Sequence, residues 1–288
     1  MSIQFIAGLF TLSAFLAPNA QADQASDRPE IRYKANSVPG AAVEQLSDLV
    51  DDANISIDLL RTTVGDAIKL IPPDWSAHAR LTTALEESAR AGSDPLVVLR
   101  PVVIRVARDL AFRPVNEAET PAGWPPYTPP GEVELKQYPL YRMAIVDESS
   151  KLPPRAFFFT LFGHIQKNEI AMTAPVEMEM NRENSATEMQ SMAFLYREAT
   201  IGNLGTDGSV KVIDVQPYLA VTVGIRGESN RAGLTEANAL LEYWLTENAD
   251  RYEKVDEAGG ASRYLGYNGP GTPAASKYFE LQVRVRRK

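Results

Sequence analysis

Apolar residues fall at Val43, Leu46, Val50, Ala53, Ile57, Leu60, Val64, Ala67 and Ile71. The spacing alternates three and four without a break, which predicts one long helix with a seam along one side. Pro72-Pro73 ends it, because proline cannot donate the helical hydrogen bond. Asp74 or Ser76 is placed to cap a second helix, with Ala77, Leu81, Ala84, Leu85 and Ser88 on one face and Gly92 as its stop. Leu96 to Phe112 predicts a third helical segment that Pro101 starts or kinks. A seam needs partners. Residues 43–71 therefore belong to a helical hairpin or small bundle, or pair with a second copy of the chain.

Pro121-Ala-Gly-Trp-Pro-Pro-Tyr-Thr-Pro-Pro130-Gly131 changes the pattern. Such a stretch favours extended polyproline-type backbone and serves as a linker. Its Trp124 and Tyr127 equally suit an arm packed on a neighbouring domain. Beyond it a pattern runs twice. Val133 to Val146 has strand character, Pro154 to Ile165 helical character, and Ile170 to Met180 and Met192 to Tyr196 read as strands. The second pass is strand-rich Val210 to Ile225, then a helix from about Asn230 to Asn248 with Leu234, Ala237, Leu241, Trp244 and Leu245 as its stripe. Tyr252 to Val255 or Arg263 to Tyr267 follows as a strand, and Tyr278 to Arg286 closes the chain. Strand, helix, strand, strand, repeated, predicts an α+β fold, a distorted antiparallel sheet or open barrel with two helices on one face.

The start of the chain differs in kind. Ile3 to Leu16 is an apolar run, followed by Pro18 and Ala20-Gln21-Ala22. It is shorter than the roughly 20 residues that span a bilayer, and small residues at A-x-A spacing predict a signal peptide cleaved after residue 22. The expected organisation is signal peptide 1–22, helical region 23–120, Pro-rich linker 121–131 and sheet domain 132–288. The mature chain is then exported, periplasmic or secreted, with no transmembrane span.

A net charge of −8 argues against a nucleic-acid partner, whose phosphates need a basic surface. The absence of cysteine excludes disulfides, thiolate nucleophiles and covalent haem attachment. With only His78 and His164, a zinc site would rest mostly on carboxylates. No nucleophile elbow, H-E-x-x-H, Walker loop or dinucleotide fingerprint occurs, so a non-enzymatic role is expected.

Several segments resemble one family. Ile170-Ala-Met-Thr-Ala-Pro-Val176 matches the most recognisable stretch of the SOUL haem-binding family residue for residue. Val133-Glu-Leu-Lys-Gln-Tyr-Pro139 is similar to its opening strand, and Leu161-Phe-Gly-His-Ile-Gln-Lys-Asn168 to its helix end. Val215 to Ala220 with Ile225-Arg-Gly227 resembles the second-repeat strand, and Tyr264 to Leu281 the closing one. The resemblance covers roughly residues 131–288. It departs at His164, where the family has Tyr, at Lys167, where it has Gly, and at Ser276 to Glu280. It implies duplicated strand-helix-strand-strand units that hold haem or another tetrapyrrole by apolar contact, without catalysis. The architecture also resembles effector domains of bacterial drug-sensing regulators, which hold bulky organic cations against a carboxylate.

Given that resemblance, the candidate site residues are His164, Met172, Gly224, Arg226 and Glu280. His164 is the one imidazole of the domain and the candidate iron ligand. It falls at the border of the apolar face formed by Phe157, Phe158, Leu161, Phe162 and Ile165, where a helix-edge histidine is the plainer account. Met172 shares an alternating face with Ala174, Val176, Met178 and Met180, which reads as core, with axial ligation the alternative. Phe279, Leu281 and Val283 point to the helices, leaving Glu280, Gln282 and Arg284 on the other, concave face. Gly224 sits there beside Thr222 and Arg226. Arg142, Lys167, Arg226 and Arg284 suit haem propionates, or simply a solvated surface.

Overall fold

The computed structural model describes residues 38–51, 54–73, 75–90, 92, 94–180, 189–227, 231–255 and 262–288. The proposed signal peptide, Ala53, Asp74 and the expected helix start at Asn230 lie outside them.

The N-terminal seam is two helices rather than one, α1 (Val38–Asp51) and α2 (Ile57–Leu70). Ser56 is extended, and its hydroxyl accepts from the Leu59 amide, so a cap restarts the helix where the apolar spacing alone runs on. With α3 (Ser76–Ser88) and α4 (Pro95–Leu110) they form a four-helix bundle. Leu46, Leu60, Val64, Ala67 and Ile71 are buried in its core with Leu81, Leu99 and Val103, so the seam is spent inside the molecule. Asp94 caps α4 and Pro95 takes its first position, while Pro101 lies within the helix on its exposed side. There the missing amide leaves only the carbonyl of exposed Val97 to be met by water.

The described residues of 133–288 build one open ten-stranded antiparallel sheet with two helices. Its strands are β1 (Val133–Tyr138), β2 (Tyr141–Asp147), β3 (Val176–Met180), β4 (Met189–Leu195), β5 (Gly205–Asp207), β6 (Val210–Val215), β7 (Tyr218–Arg226), β8 (Tyr252–Lys254), β9 (Ser262–Gly266) and β10 (Tyr278–Arg287). The order is β1-β7-β10-β9-β3-β4-β2-β6-β5, with β8 on the end of β10. Pro139 and Pro217 divide the two stretches that read as single strands. Each lets the chain cross from one half of the sheet to the other, so that β1 pairs with β7 and β2 with β6. Both second-repeat candidates, β8 and β9, are strands.

Helices α5 (Pro154–Lys167) and α6 (Arg231–Glu247) cover the same side of the sheet. Phe157, Leu161 and Ile165 of α5 pack on Ala144, Val146, Phe194 and Val212. Ala237, Leu241 and Leu245 of α6 pack on Val221, Val223, Leu281, Val283 and Val285. Ala174 departs from the expected alternation. The strand begins only at Val176, so Ala174 joins a cluster with Tyr138, Leu265 and Tyr267 on the helix-free side.

Candidate functional site

Period-two alternation sends every second side chain away from the helices. On β1 these are Glu134, Lys136 and Tyr138, and on β10 Tyr278, Glu280, Gln282 and Arg284. Arg263 on β9, Glu177 on β3 and Tyr141 on β2 join them through the registers Gln282↔Arg263, Glu177↔Leu265 and Ala193↔Glu177. A face of this composition would ordinarily be solvated. Here Glu280, Gln282, Thr222, Lys136, Glu177 and Arg263 are all buried.

Their cover is the Pro-rich segment, which packs as an arm and carries many contacts. Trp124 lies edge-on to Tyr138 and Tyr141, with centroids 4.9 and 5.2 Å away, and its Nε1 donates to the Tyr267 hydroxyl at 3.1 Å. Tyr127 stands edge-on to Tyr267 and Tyr278. The Thr128 amide donates to Glu280 Oε1 at 2.8 Å, and the Thr128 carbonyl accepts from the Tyr278 hydroxyl at 2.7 Å. Gly224 makes this approach feasible: a Cβ there would overlap the Thr128 carbonyl oxygen.

Beneath the arm two buried ion pairs order the face. Lys136 Nζ meets Glu280 Oε1 at 2.6 Å, and Lys136 also donates to the Pro126 carbonyl at 2.7 Å. The Tyr267 hydroxyl donates to Glu280 at 3.0 Å, and the Tyr278 hydroxyl, 2.7 Å from both Glu280 and the Thr128 carbonyl, shares its one proton between those two acceptors. Arg263 reaches Glu177 at 3.2 Å, and Tyr141 donates to the same carboxylate at 3.0 Å. Tyr138 stacks on Tyr218, and the guanidinium of Arg284 lies 4.1 Å from the Tyr218 centroid. Burial first, then the Glu280 charge, drives Tyr138, Tyr267 and Tyr278 well above the usual phenol range, and Tyr127 up to about 12. These hydroxyls stay protonated and act as donors.

The candidates divide between the two sides of the sheet. Glu280 and Gly224 come together under Thr128. Arg226 lies at the edge, its Nε donating to the Ala275 carbonyl at 3.0 Å and its guanidinium 4.9 Å from the Phe112 centroid. His164 is on the α5 side, buried, with Nδ1 3.1 Å from Asp207 and Nε2 2.9 Å from the Tyr196 hydroxyl. Met172 packs into the same α5 core. Arg142 is held by Asp214 at 2.7 Å and Lys167 by Asp207 at 3.0 Å. Among the described residues no group of three or more histidines or carboxylates is arranged to hold a metal ion, and no helix is long and apolar enough to cross a membrane.

Sequence reasoning raised Trp124 and Tyr127 as a packed arm but not as part of the site, and missed Lys136, Glu177, Arg263 and the tyrosines of the sheet. The alternation Val133, Leu135 against Glu134, Lys136, Tyr138 carries the signal for β1, but nothing local says that its polar side is buried. As a receptacle the face suits a flat ring system. It has aromatic walls and protonated hydroxyl donors, and its cations Lys136 and Arg263 are engaged by Glu280 and Glu177. An axial imidazole is not among the groups it presents, because His164 lies across the sheet.

The family model described as SOUL heme-binding protein matches residues 125–283. Among solved structures, the EcmrR C-terminal domain aligns at 16% identity and a TM-score of 0.39, covering 54% of this chain and 98% of that one. A hydrolase from Listeria innocua aligns at 10% identity and a TM-score of 0.40, over 56% and 94% of the two chains. SAV2435 bound to tetraphenylphosphonium aligns at 9% identity and a TM-score of 0.32, over 54% and 94%. A search of curated proteins finds no match. The family match spans more than half of the 288 residues and takes in the arm from Pro125 together with nearly the whole sheet, and the chain therefore belongs to the SOUL heme-binding family.

Proposed function

We propose that this chain is an exported, non-enzymatic protein that binds haem or a related tetrapyrrole non-covalently on the helix-free face of its sheet. Family membership supports the ligand class. The observation that carries the location is the seat of Trp124, a flat aromatic ring held edge-on by Tyr138 and Tyr141 and hydrogen-bonded to Tyr267. Most of the binding free energy then comes from removing apolar ring surface from water, about 25 cal/mol per Å², and no single axial bond dominates. The apolar run before Ala20-Gln21-Ala22 supports export.

Titration of the full chain with haem tests the ligand. A Soret band that shifts and sharpens to saturation at one equivalent is expected, and an unshifted band sinks the proposal. A second reading rests on Glu280 and Glu177, buried carboxylates among tyrosines, which is also chemistry for a bulky aromatic cation. Competition by tetraphenylphosphonium for the haem site would favour it.

A further inference from the structure

The arm occupies the face on which the ligand is proposed to sit, and its chemistry makes it easy to lift. Residues 121–131 include five prolines, Pro121, Pro125, Pro126, Pro129 and Pro130, each without an amide donor. The segment is therefore held to the sheet by the ring contacts of Trp124 and Tyr127, by side chains that reach the Pro126 and Thr128 backbone and by the single Ala122 amide to the Arg197 carbonyl, rather than by a continuous ladder. Its ends are firmly tied. Glu117 accepts from the Gly269 amide at 2.6 Å and from Thr272, and the Ala174 amide donates to the Glu119 carbonyl at 2.9 Å. At the other end the Gly131 amide donates to the Gly224 carbonyl at 2.8 Å. A stiff strap fixed at both ends can leave the surface in the middle and return.

One group shows that the strap is not the face's ideal occupant. The Gln282 side chain is fully buried, and among the described residues neither its oxygen nor its nitrogen has a hydrogen-bond partner. Gln282 stands opposite Thr222 and Arg263 on the same face of the sheet, two positions along β10 from Glu280, which the strap's Thr128 amide reaches. A buried carboxamide left this way costs about 1–3 kcal/mol. The cost is recovered when something polar arrives.

The geometry points to residues 121–131 being a built-in competitor: ligand binding displaces Trp124 and the Thr128 peptide from the helix-free face, and Gln282 gains from the ligand's polar groups the hydrogen bonds that the strap does not supply. The inference rests on the proposed ligand site and adds its regulation. A strap closed nine-tenths of the time weakens apparent affinity about tenfold. It also gives Gln282 a role in selecting ligands that carry a carboxylate or similar acceptor.

Three variants of the full chain test it by haem titration, with circular dichroism and urea unfolding as controls. Trp124→Ala removes the strap's anchor, and Gly224→Ala expels its backbone without touching an aromatic group. Both are expected to bind haem about tenfold more tightly. Gln282→Leu should bind about tenfold more weakly while its unfolding midpoint holds or rises, since a merely structural glutamine would not split the two. Chymotrypsin should cut after Tyr127 faster with haem bound than without. If parent, W124A and G224A bind alike and Tyr127 stays protected with haem bound, the strap is no competitor, and the haem site survives. If no variant shifts the Soret band, haem is the wrong ligand, and the strap is judged with the dye anilinonaphthalenesulfonate. Brighter emission from W124A and G224A than from the parent supports displacement; equal emission overturns it.

Discussion

The two faces of β10 come from alternate residues of one strand and are stabilised in opposite ways. Leu281, Val283 and Val285 meet Ala237, Leu241 and Leu245 of α6, where shape and apolar area suffice. Glu280 and Gln282, on the other side, are equally buried but are charged or polar. Taking Lys136 and Glu280 out of water costs several kcal/mol per ion before their attraction is counted, so such a pair is rarely retained for stability. The helix side explains why the domain folds. The strap side carries buried charges that stability alone does not explain.

The sharpest way to break that contrast is to remove one ion. Glu280→Ala leaves the Lys136 ammonium buried beside the Pro126 carbonyl, and a loss of about 3–5 kcal/mol is expected in urea unfolding. The double variant Lys136→Met/Glu280→Leu should recover most of it, because two well-packed apolar groups need no partner. A loss below about 1 kcal/mol for the single variant would show that water reaches the pair, and the face would count as solvated.

Leu281→Ala, one residue further on, asks the complementary question. It opens a cavity under α6 and should cost about 3 kcal/mol, with haem affinity unchanged within about twofold. If it weakens haem as strongly as it weakens the fold, the ligand lies against the helix side and the proposed face is wrong.

What the sequence made legible follows the same division. Periodicity exposed α5, α6, the alternation of Phe279 to Arg284 and the placement of Glu280 away from the helices, because each depends on neighbours in the chain. It ran one seam through residues 43–71, since apolar spacing is blind to the Ser56 cap that starts a new helix. It also left open whether Trp124 and Tyr127 sat in a free linker or a packed arm. That choice is decided by Gly224 and Tyr267, about 100 and 143 residues away. The family resemblance identified the domain but spread its candidate residues over both faces. A strand pattern names a face; it does not say what covers it.

The joint between bundle and sheet offers a smaller, pH-dependent effect. Glu132, next to the strap's end, accepts from the Ser76 amide at 2.6 Å and the Ala77 amide at 3.0 Å, capping α3 from outside the bundle. Burial pushes its carboxyl up to about 7 from 4.5, against the pull of those amides, Ser76 and Arg80. A raised carboxyl binds its proton more tightly in the folded state. Its contribution is therefore complete below about pH 4.5 and is lost as pH rises through about 7. Between pH 5 and 8 the wild type should lose on the order of 2 kcal/mol more than Glu132→Gln, read from urea unfolding at the two pH values. Parallel losses would mean that Glu132 is already ionised throughout.

His164→Ala should be the mildest change. The imidazole bridges the Tyr196 hydroxyl and Asp207 on the α5 side, and Lys167 keeps Asp207 partnered when the ring is gone. The Lys167 hydrogen bond, ahead of that from His164, is what holds the Asp207 carboxyl below its ordinary range. The loss is one hydrogen bond to a buried tyrosine, about 1 kcal/mol. Haem affinity should fall less than about tenfold, or about 1.4 kcal/mol, because the ring faces away from Trp124, Tyr138 and Glu280. Soret titration of the variant, beside an unfolding curve that shows it folded, decides the matter. Abolished binding in a folded protein would make His164 the iron ligand, move the haem to the α5 side, and leave the buried charges of the other face in need of a different guest.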